Sequence, residues 1–353
     1  DIFSLDIARF EKFQSETKFI TNRVTETLGN LYAMHWPYKQ YKTSRNIKLL
    51  PFHSDLKNKG ACFGQVSSFE KPMWYSLNEK TAKYKYSYGY QNWFDSADYE
   101  TTNTRQHVGL FDLSSFAKFE IIGSNSFIDL QRLCCNEISK TNGRTTYTQM
   151  LNTSGGIVAD LTVTCINENN FKIITGSEVR AHDKKHILKY ISEDTKFIDN
   201  TENEACFGIF GPKSRELLSE VFGNYFSSND FKFGTGKIIK YNGIELWFQR
   251  LSYIGELGWE IYIPINISRE VYLKIISVEK KFNLVHAGAH ALDIMRMEKG
   301  FLHWGHDISP AENPFEAGLD FTVKLNKHVD FIGENSLISK NRVKKKQFIN
   351  FVL

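Results

Sequence analysis

Asn242-Gly243 sits between two strand-like runs, 237–241 and 244–251, and so fixes an antiparallel hairpin in the second half of the chain. Both residues accept the positive φ that a two-residue hairpin turn demands, and the pair is the strongest short hairpin signal a sequence offers. A second turn, Asn152-Thr153-Ser154-Gly155-Gly156, separates the strand-like runs 145–151 and 157–166. Further strands are expected at 118–122, 171–175, 205–210 and 259–263. Helical periodicity alternates with them. It covers 124–135, with Phe127, Leu130 and Leu133 on one face, then 178–191, a helix opened by Gly211-Pro212 and running to about 221, and the segments 268–280 and 287–299. Hairpins mixed with helices argue against a parallel doubly wound sheet. They predict an α+β fold of mixed, largely antiparallel sheets with helices, in two packed subdomains at about 105–200 and 201–340.

Of the 353 residues, 41% are hydrophobic and 24% charged, enough for two or three cores and too apolar for a disordered chain. A net charge of +4 with scattered lysines gives no basic stripe, so no nucleic-acid partner is expected, whereas an anionic small ligand is compatible. The cysteines at 62, 134, 135, 165 and 206 are odd in number and lack the spacing of a zinc site or disulfide scaffold. A reducing compartment fits them, and no metal is expected. No apolar run reaches membrane-spanning length, so no membrane partner is expected. Asp1-Ile2-Phe3-Ser4-Leu5-Asp6 has neither an initiator Met nor the order of a signal peptide, and the chain is expected to start in mid-protein. Residues 1–95 read as an irregular connector, with Pro37, Pro51 and Pro72 between short segments. His35-Trp36-Pro37 and Glu70-Lys71-Pro72-Met73-Trp74-Tyr75 supply aromatic anchors with which it would wrap on another domain.

Two acidic features carry the candidate chemistry. Gly155-Gly156 leads into Ile157-Val158-Ala159-Asp160-Leu161-Thr162-Val163-Thr164, where period two puts Asp160 on one face with Thr162 and Thr164. This polar stripe in an apolar strand is either the wet face of an edge strand or a carboxylate that meets a polar or cationic ligand. The adjoining glycines would let a ligand approach the backbone closely. About a hundred residues later comes Ser252-Tyr253-Ile254-Gly255-Glu256-Leu257-Gly258-Trp259-Glu260. Here Glu256 is either an exposed turn acid or a carboxylate accepting two parallel hydrogen bonds from an amidine-like edge, such as a pterin offers.

Other motifs have simpler explanations. His182 and His186 are four apart on a helix but lack the Glu of a zinc-protease motif, and Asp183-Lys184-Lys185 marks a solvated face. Gly211-Pro212-Lys213-Ser214 lacks the glycines of a phosphate loop, and Gly234-Thr235-Gly236 lacks the third glycine of a dinucleotide fingerprint. Cys134-Cys135 closes an apolar helix face and is expected in the core. Lys344-Lys345-Lys346 is expected to be solvated.

Taken together, Gly109-Leu110-Phe111-Asp112-Leu113-Ser114, Gly123, Tyr147, the run 155–160, the turn 252–260 and Arg296-Met297-Glu298-Lys299-Gly300 resemble the folate-binding aminomethyltransferase family, whose founder is the glycine-cleavage T-protein. The resemblance spans about 105–353. The turn at 253–260, Trp304-Gly305-His306-Asp307 and Glu316-Ala317-Gly318-Leu319 resemble its flavin-fused branch, which contains the dimethylglycine and sarcosine dehydrogenases and dimethylglycine oxidase. Asp6-Ile7-Ala8-Arg9-Phe10 resembles the last element of the flavin domain, and Gly60-Ala61-Cys62-Phe63-Gly64 part of the central connector. The resemblance therefore implies a fragment: flavin-domain end and connector at 1–95, folate-binding aminomethyltransferase-like domain at 96–347, and the start of a C-terminal β-barrel at 348–353.

Residue by residue, the resemblance makes Asp160 the catalytic aspartate and Tyr147, Thr162 and Gly176 folate contacts. It assigns Tyr253 to folate binding, Glu256-Leu257-Gly258 to the pterin-gripping turn, and Phe321 to an aromatic ligand neighbour. Leu292 stands where the glycine-cleavage branch carries Arg, which agrees with the flavin-fused branch. The implied cofactors are tetrahydrofolate, and FAD in the parent enzyme but not held by this fragment. The implied partners are a small N-methyl amine substrate, folate and a flavin domain of the same parent chain. The implied activity is capture of the carbon released on demethylation, as methylenetetrahydrofolate, in the cytoplasm or, in a eukaryote, the mitochondrial matrix. Alternatives are a stand-alone folate-dependent transferase and a non-catalytic folate-binding protein. The latter relatives carry Lys-Gly-Cys-Tyr, where this chain has Lys299-Gly300-Phe301-Leu302.

Overall fold

The hairpin at Asn242-Gly243 forms as expected, with φ of 49° and 81° at the two turn residues. In the computed structural model, which describes residues 10–78, 82–340, 346–349 and 351, the flanking strands pair from Gly236↔Gln249 to Tyr241↔Ile244. The described strands are β1 (Ala61–Val66), β2 (Phe69–Tyr75), β3 (Val108–Asp112), β4 (Ala117–Ile122), β5 (Thr145–Leu151), β6 (Ile157–Asn167), β7 (Asn170–Thr175), β8 (Lys196–Asp199), β9 (Glu204–Phe210), β10 (Gly236–Tyr241), β11 (Ile244–Gln249), β12 (Gly258–Pro264) and β13 (Leu284–Ala287). The helices are α1 (Thr17–Asn30), α2 (His53–Asn58), α3 (Phe94–Gln106), α4 (Ser126–Leu133), α5 (Arg180–Tyr190), α6 (Ser214–Phe222), α7 (Ser268–Ile276), α8 (Glu279–Phe282), α9 (Ala289–Glu298) and α10 (Glu334–Lys340).

A five-stranded sheet runs β5-β6-β7-β4-β8, antiparallel throughout, and a six-stranded sheet runs β10-β11-β12-β9-β3-β13, antiparallel except for β13 beside β3. Strand alternation sorts each sheet into two faces. On β6, Ala159, Leu161, Val163 and Cys165 pack with Leu130, Leu133 and Ile187 of α4 and α5. On β9 and β12, Phe207, Ile209, Trp259 and Ile261 pack with Leu217, Leu218, Val271 and Ile275 of α6 and α7. Each fully buried side chain of this size contributes roughly 1.5–3 kcal/mol, so these two helix-covered cores hold most of the fold. The other faces of the two sheets meet: Thr164 Oγ1 donates to Gln249 Oε1 at 3.2 Å, and Lys172 of β7 pairs with Glu204 of β9 at 2.5 Å. The order is helix, sheet, sheet, helix, and the layer between the sheets sets these polar groups beside an apolar cluster that includes Phe111, Ile174, Cys206, Phe210 and Tyr262.

Several expectations change. β3 lies in the first stretch of sequence yet pairs with β9, Gly109↔Phe210 to Asp112↔Phe207, so the chain crosses between the halves and the subdomains are not sequential. The expected helix at 287–299 begins at Ala289, because 284–287 is extended beside β3. The helix expected over 268–280 breaks after Ile276, and Pro212 lies in a turn ahead of α6. Residues 1–95 are not irregular where described, since they include α1, α2 and the β1–β2 hairpin. Phe52, Leu56, Ala61, Phe69 and Tyr75 belong to the same core as Val108 and Phe207, so the packing carries no break near residue 95. Of the flavin-domain motif at 6–10 only Phe10 lies within the described residues, and half of the expected barrel start at 348–353, residues 350, 352 and 353, falls outside them.

Glu100 of α3 locks this arrangement. Its Oε1 accepts the Tyr75 amide at 2.6 Å and its Oε2 the Gly288 amide at 2.8 Å, joining β2 to the start of α9. Burial pushes its pKa up to about 8 against the pull of those two donors. In Glu100→Gln one amide NH2 must face a backbone N–H, and we expect a loss of about 1–3 kcal/mol, the usual cost of an unsatisfied buried group, read from the urea midpoint.

Candidate functional site

β6 is not an edge strand. It lies between β5 and β7, with Tyr147↔Thr162 on one side and Thr162↔Ile174 on the other. The stripe of Asp160, Thr162 and Thr164 therefore faces the layer between the sheets, not open water, and the ligand alternative is the one the topology favours. Asp160 is enclosed by protein yet keeps part of its surface accessible, as a group lining a cleft does. Gln149 Nε2 donates to its Oδ1 at 2.8 Å, and the Tyr147 hydroxyl bonds to the same carboxylate. Burial is the largest influence and pushes the Asp160 pKa up to about 6; the two hydrogen bonds pull it down and Asp183 raises it further.

Around this carboxylate the structure gathers most of the expected residues. Tyr147 stands across the ladder from Thr162, and its ring centre is 6.3 Å from that of the exposed Phe321. Gly176 follows Thr175, the partner of Leu161, and so stands level with Asp160. Tyr253 donates to the Leu302 carbonyl at 2.7 Å, and Asp160 is one of the charges that raise its pKa. The segment 300–337 closes this end of the sheet: Trp304 Nε1 donates to the Ile157 carbonyl at 3.0 Å, and Leu302, Ile308 and Leu319 pack on Leu151 and Ile157.

The turn at 256–258 is placed elsewhere. Glu256 pairs with Arg105 at 3.1 Å at the end of α3, and Arg105 also meets Glu298. The Leu257 carbonyl accepts the Gly211 amide at 2.7 Å and the Ser214 hydroxyl at 3.1 Å, and Gly258 opens β12 opposite Phe210. Leu257 thus anchors a turn, and Glu256 is held by a half-exposed cation. Such pairs are worth about 0–1 kcal/mol. Glu256→Gln should accordingly shift the urea midpoint by little.

Glu260 was not singled out, although the rule that found Asp160 also finds it. Trp259, Ile261 and Ile263 fill the helix-covered core, so by period two Glu260 and Tyr262 face the layer between the sheets. Glu260 is buried, accepts the Tyr262 hydroxyl at 2.6 Å, and burial pushes its pKa up to about 7. Its ladder partner Gln249 accepts from Thr164 and Trp247 through Oε1, while among the described residues its buried Nε2 has no partner. The orphaned amide beside a buried carboxylate makes this a candidate position for a polar ligand or a bound water.

The remaining expectations resolve simply. Asp183 is fully buried and accepts the Thr175 hydroxyl at 2.5 Å, so the α5 face that carries it is not solvated. Burial lowers the His186 pKa to about 4. The five cysteines are buried thiols, with Cys134 and Cys135 in the core. Lys346 meets Glu312 at 3.3 Å, and Lys344 and Lys345 lie outside the described residues. Among the described residues no helix is long and apolar enough to cross a membrane.

Comparison with known proteins agrees with this arrangement. The profile of the GCVT N-terminal domain matches residues 52–327, and that of the FAD dependent oxidoreductase central domain matches residues 1–49. The chain is 36% identical over 339 residues to 4-methylaminobutanoate oxidase (formaldehyde-forming) of Paenarthrobacter nicotinovorans, covering 96% of this chain and 41% of that protein. It is 31% identical to mitochondrial dimethylglycine dehydrogenase of Rattus norvegicus, covering 96% of this chain and 39% of the relative. The chain thus spans about two fifths of the length of these curated relatives. The fold matches the glycine cleavage system aminomethyltransferase T from Bartonella henselae with a TM-score of 0.71 at 23% identity, over 84% of this chain and 75% of that one. A helix-flanked pair of facing antiparallel sheets, an acid on the inner face of β6 and the profile match over residues 52–327 lead to one conclusion: the chain belongs to the GCVT N-terminal domain family.

Proposed function

We propose that this chain is the folate-binding, one-carbon-capturing part of a flavin-dependent oxidoreductase acting on N-methyl amines. The observation that carries the proposal is Asp160, an acid with its pKa raised, set on an enclosed but accessible face between the sheets. The names of the relatives, a formaldehyde-forming oxidase and a dimethylglycine dehydrogenase, support the donor class. The FAD-linked central-domain match at 1–49 supports a flavin domain in the same parent chain.

The polar groups within the layer between the sheets fit a reduced pterin. Gln249 Nε2 offers a buried donor and Glu260 a buried acceptor on neighbouring strands, complementary to a ring edge that carries both carbonyl oxygen and N–H groups. Thr164 bonds Gln249 and lies four residues from Asp160 on the same strand face, about 13 Å along β6. Phe321 and Tyr147 supply aromatic surface at the open end. Tetrahydrofolate held here would supply the two amine nitrogens that condense with formaldehyde, its oxygen leaving as water, to give methylenetetrahydrofolate. The Asp160 carboxylate accepts the proton that the amine loses, Gln149 and Tyr147 hold that carboxylate in place, and the enclosed layer keeps bulk water from competing.

Calorimetric titration with tetrahydrofolate tests this. The chain should bind, Glu260→Gln should weaken binding by tenfold or more, as loss of a charge-assisted bond worth about 1.5–3 kcal/mol requires, and Glu256→Gln should change it little. A chain that binds no tetrahydrofolate would refute the proposal, and a larger loss in Glu256→Gln than in Glu260→Gln would move the pterin to the outer turn.

A further inference from the structure

Gln149 stands between Asp160 and the closing segment, and its amide has one favourable orientation. Nε2 donates to Asp160 Oδ1 at 2.8 Å, while Oε1 accepts from Thr322 Oγ1 at 2.5 Å and from Cys135 Sγ at 3.7 Å. The side chain has no accessible surface, so water cannot replace any of these partners. Rotating the amide by half a turn would set its carbonyl oxygen against the carboxylate, which is repulsive while Asp160 is ionised. Thr322 helps to set the direction from a different part of the chain, on the short turn Asp320–Thr322 that also carries Phe321.

We propose that Gln149 is a positioning residue for the Asp160 carboxylate, and that Thr322 biases its amide toward the orientation that donates to the ionised acid. The inference rests on the function proposed above for its catalytic consequence, but not for the hydrogen-bond network itself. It explains why a segment more than 150 residues away in sequence is buried against β5 at this point: docking of residues 319–323 orients the amide, and the oriented amide favours the ionised acid. Thr322 Oγ1 also lies 2.6 Å from the Leu319 carbonyl, so its single proton can serve either acceptor. When Asp160 is protonated, its O–H can donate to a turned Gln149, whose Nε2 then donates to Thr322 Oγ1 while Thr322 donates to Leu319. The groups facing Asp160 from the neighbouring elements are Tyr147 on β5, Asp183 on α5 and Tyr253 in the 252–257 turn. The Asp183 charge makes the acid harder to ionise and Tyr253 is a phenol whose own pKa is raised, which leaves Gln149 and the Tyr147 hydroxyl as the groups that favour the carboxylate.

The test is the titration of Asp160 itself, followed by carbon-13 resonance of carboxyl-labelled aspartate in this chain without folate, with Asp160→Asn identifying the signal. Gln149→Leu should move the midpoint up by about one pH unit or more, the scale for losing a hydrogen bond to the charged form, and Thr322→Val should move it in the same direction by less. The pH profile of one-carbon capture with tetrahydrofolate and formaldehyde should move by the same amount and in the same direction. A merely structural role would lower activity equally at every pH. A midpoint unchanged in both variants overturns the proposal, and if Gln149→Leu does not fold, Thr322→Val decides. Failure of folate to bind would refute the proposed function and leave this titration intact.

Discussion

Asp160→Asn is expected to lower one-carbon capture by about 10²–10⁴-fold, the range for losing a positioned general base, while tetrahydrofolate affinity stays within a few-fold. The amide keeps the shape of the carboxylate and can still accept from Gln149, so the cleft is preserved and only the proton acceptor is lost. The same substitution should make the chain more stable at neutral pH. The Asp160 pKa is raised to about 6 in the folded chain. The folded state therefore holds a proton that the unfolded state releases from about pH 4 upward, and stability falls as pH rises through that window. Above it, the folded chain carries an ionised acid whose burial is only partly offset by its hydrogen bonds. Removing that charge should raise the unfolding free energy by on the order of 1–3 kcal/mol at about pH 8 and by much less at about pH 4. Parallel urea titrations at the two pH values, with the capture assay, check both halves. A variant that loses activity and stability together at high pH would show that Asp160 is a structural acid.

That opposition between stability and activity is what makes Asp160 legible from sequence. An Asp alternating with Ile157, Leu161 and Val163 breaks the rule that apolar strands follow, and the structure puts it on the face of β6 turned away from the helix-covered core. The hairpin at Asn242-Gly243 and the helices over Leu130 and Ile187 were equally readable, because local turn chemistry and periodicity determine them. What local pattern does not carry is pairing between distant segments. Nothing within Val108–Asp112 says that it crosses to β9, or within Leu284–Ala287 that it runs parallel to β3; those choices are made by tertiary burial. Glu256 drew attention because it follows a glycine in a turn, yet its partner Arg105 lies on a helix 151 residues away. Glu260 carries the same alternation signal as Asp160, between Trp259 and Ile261 of the helix-covered core.

Gly156→Ala should be strongly destabilising at this end of the molecule, by about 3 kcal/mol, the upper part of the range for overpacking. The Gly155-Gly156 turn was read as room for a ligand, but the chain itself occupies that room. A methyl on Gly156 would overlap the carbonyl oxygen of Pro310 and lie 2.9 Å from its carbonyl carbon and 3.0 Å from Asn152 Nδ2. The atoms in the way at Pro310 are backbone, so no side-chain rotation relieves the overlap. Gly155 provides the control, because its φ of 79° is strained for alanine while its nearest neighbour, the Leu337 amide, is 3.4 Å away. Gly155→Ala should cost only the left-handed penalty of about 1–2 kcal/mol. The steric push at Gly156 is directed at the segment that donates Trp304 to Ile157, accepts the Ile157 amide through Glu312 at 2.9 Å and carries Thr322 to Gln149. Displacing it should therefore change Trp304 fluorescence and raise the Asp160 titration midpoint as well as lowering the urea midpoint. Equal, small losses in the two glycine variants, with no change at Trp304, would mean that the segment yields without leaving its place and that the turn is glycine for its dihedral angles alone.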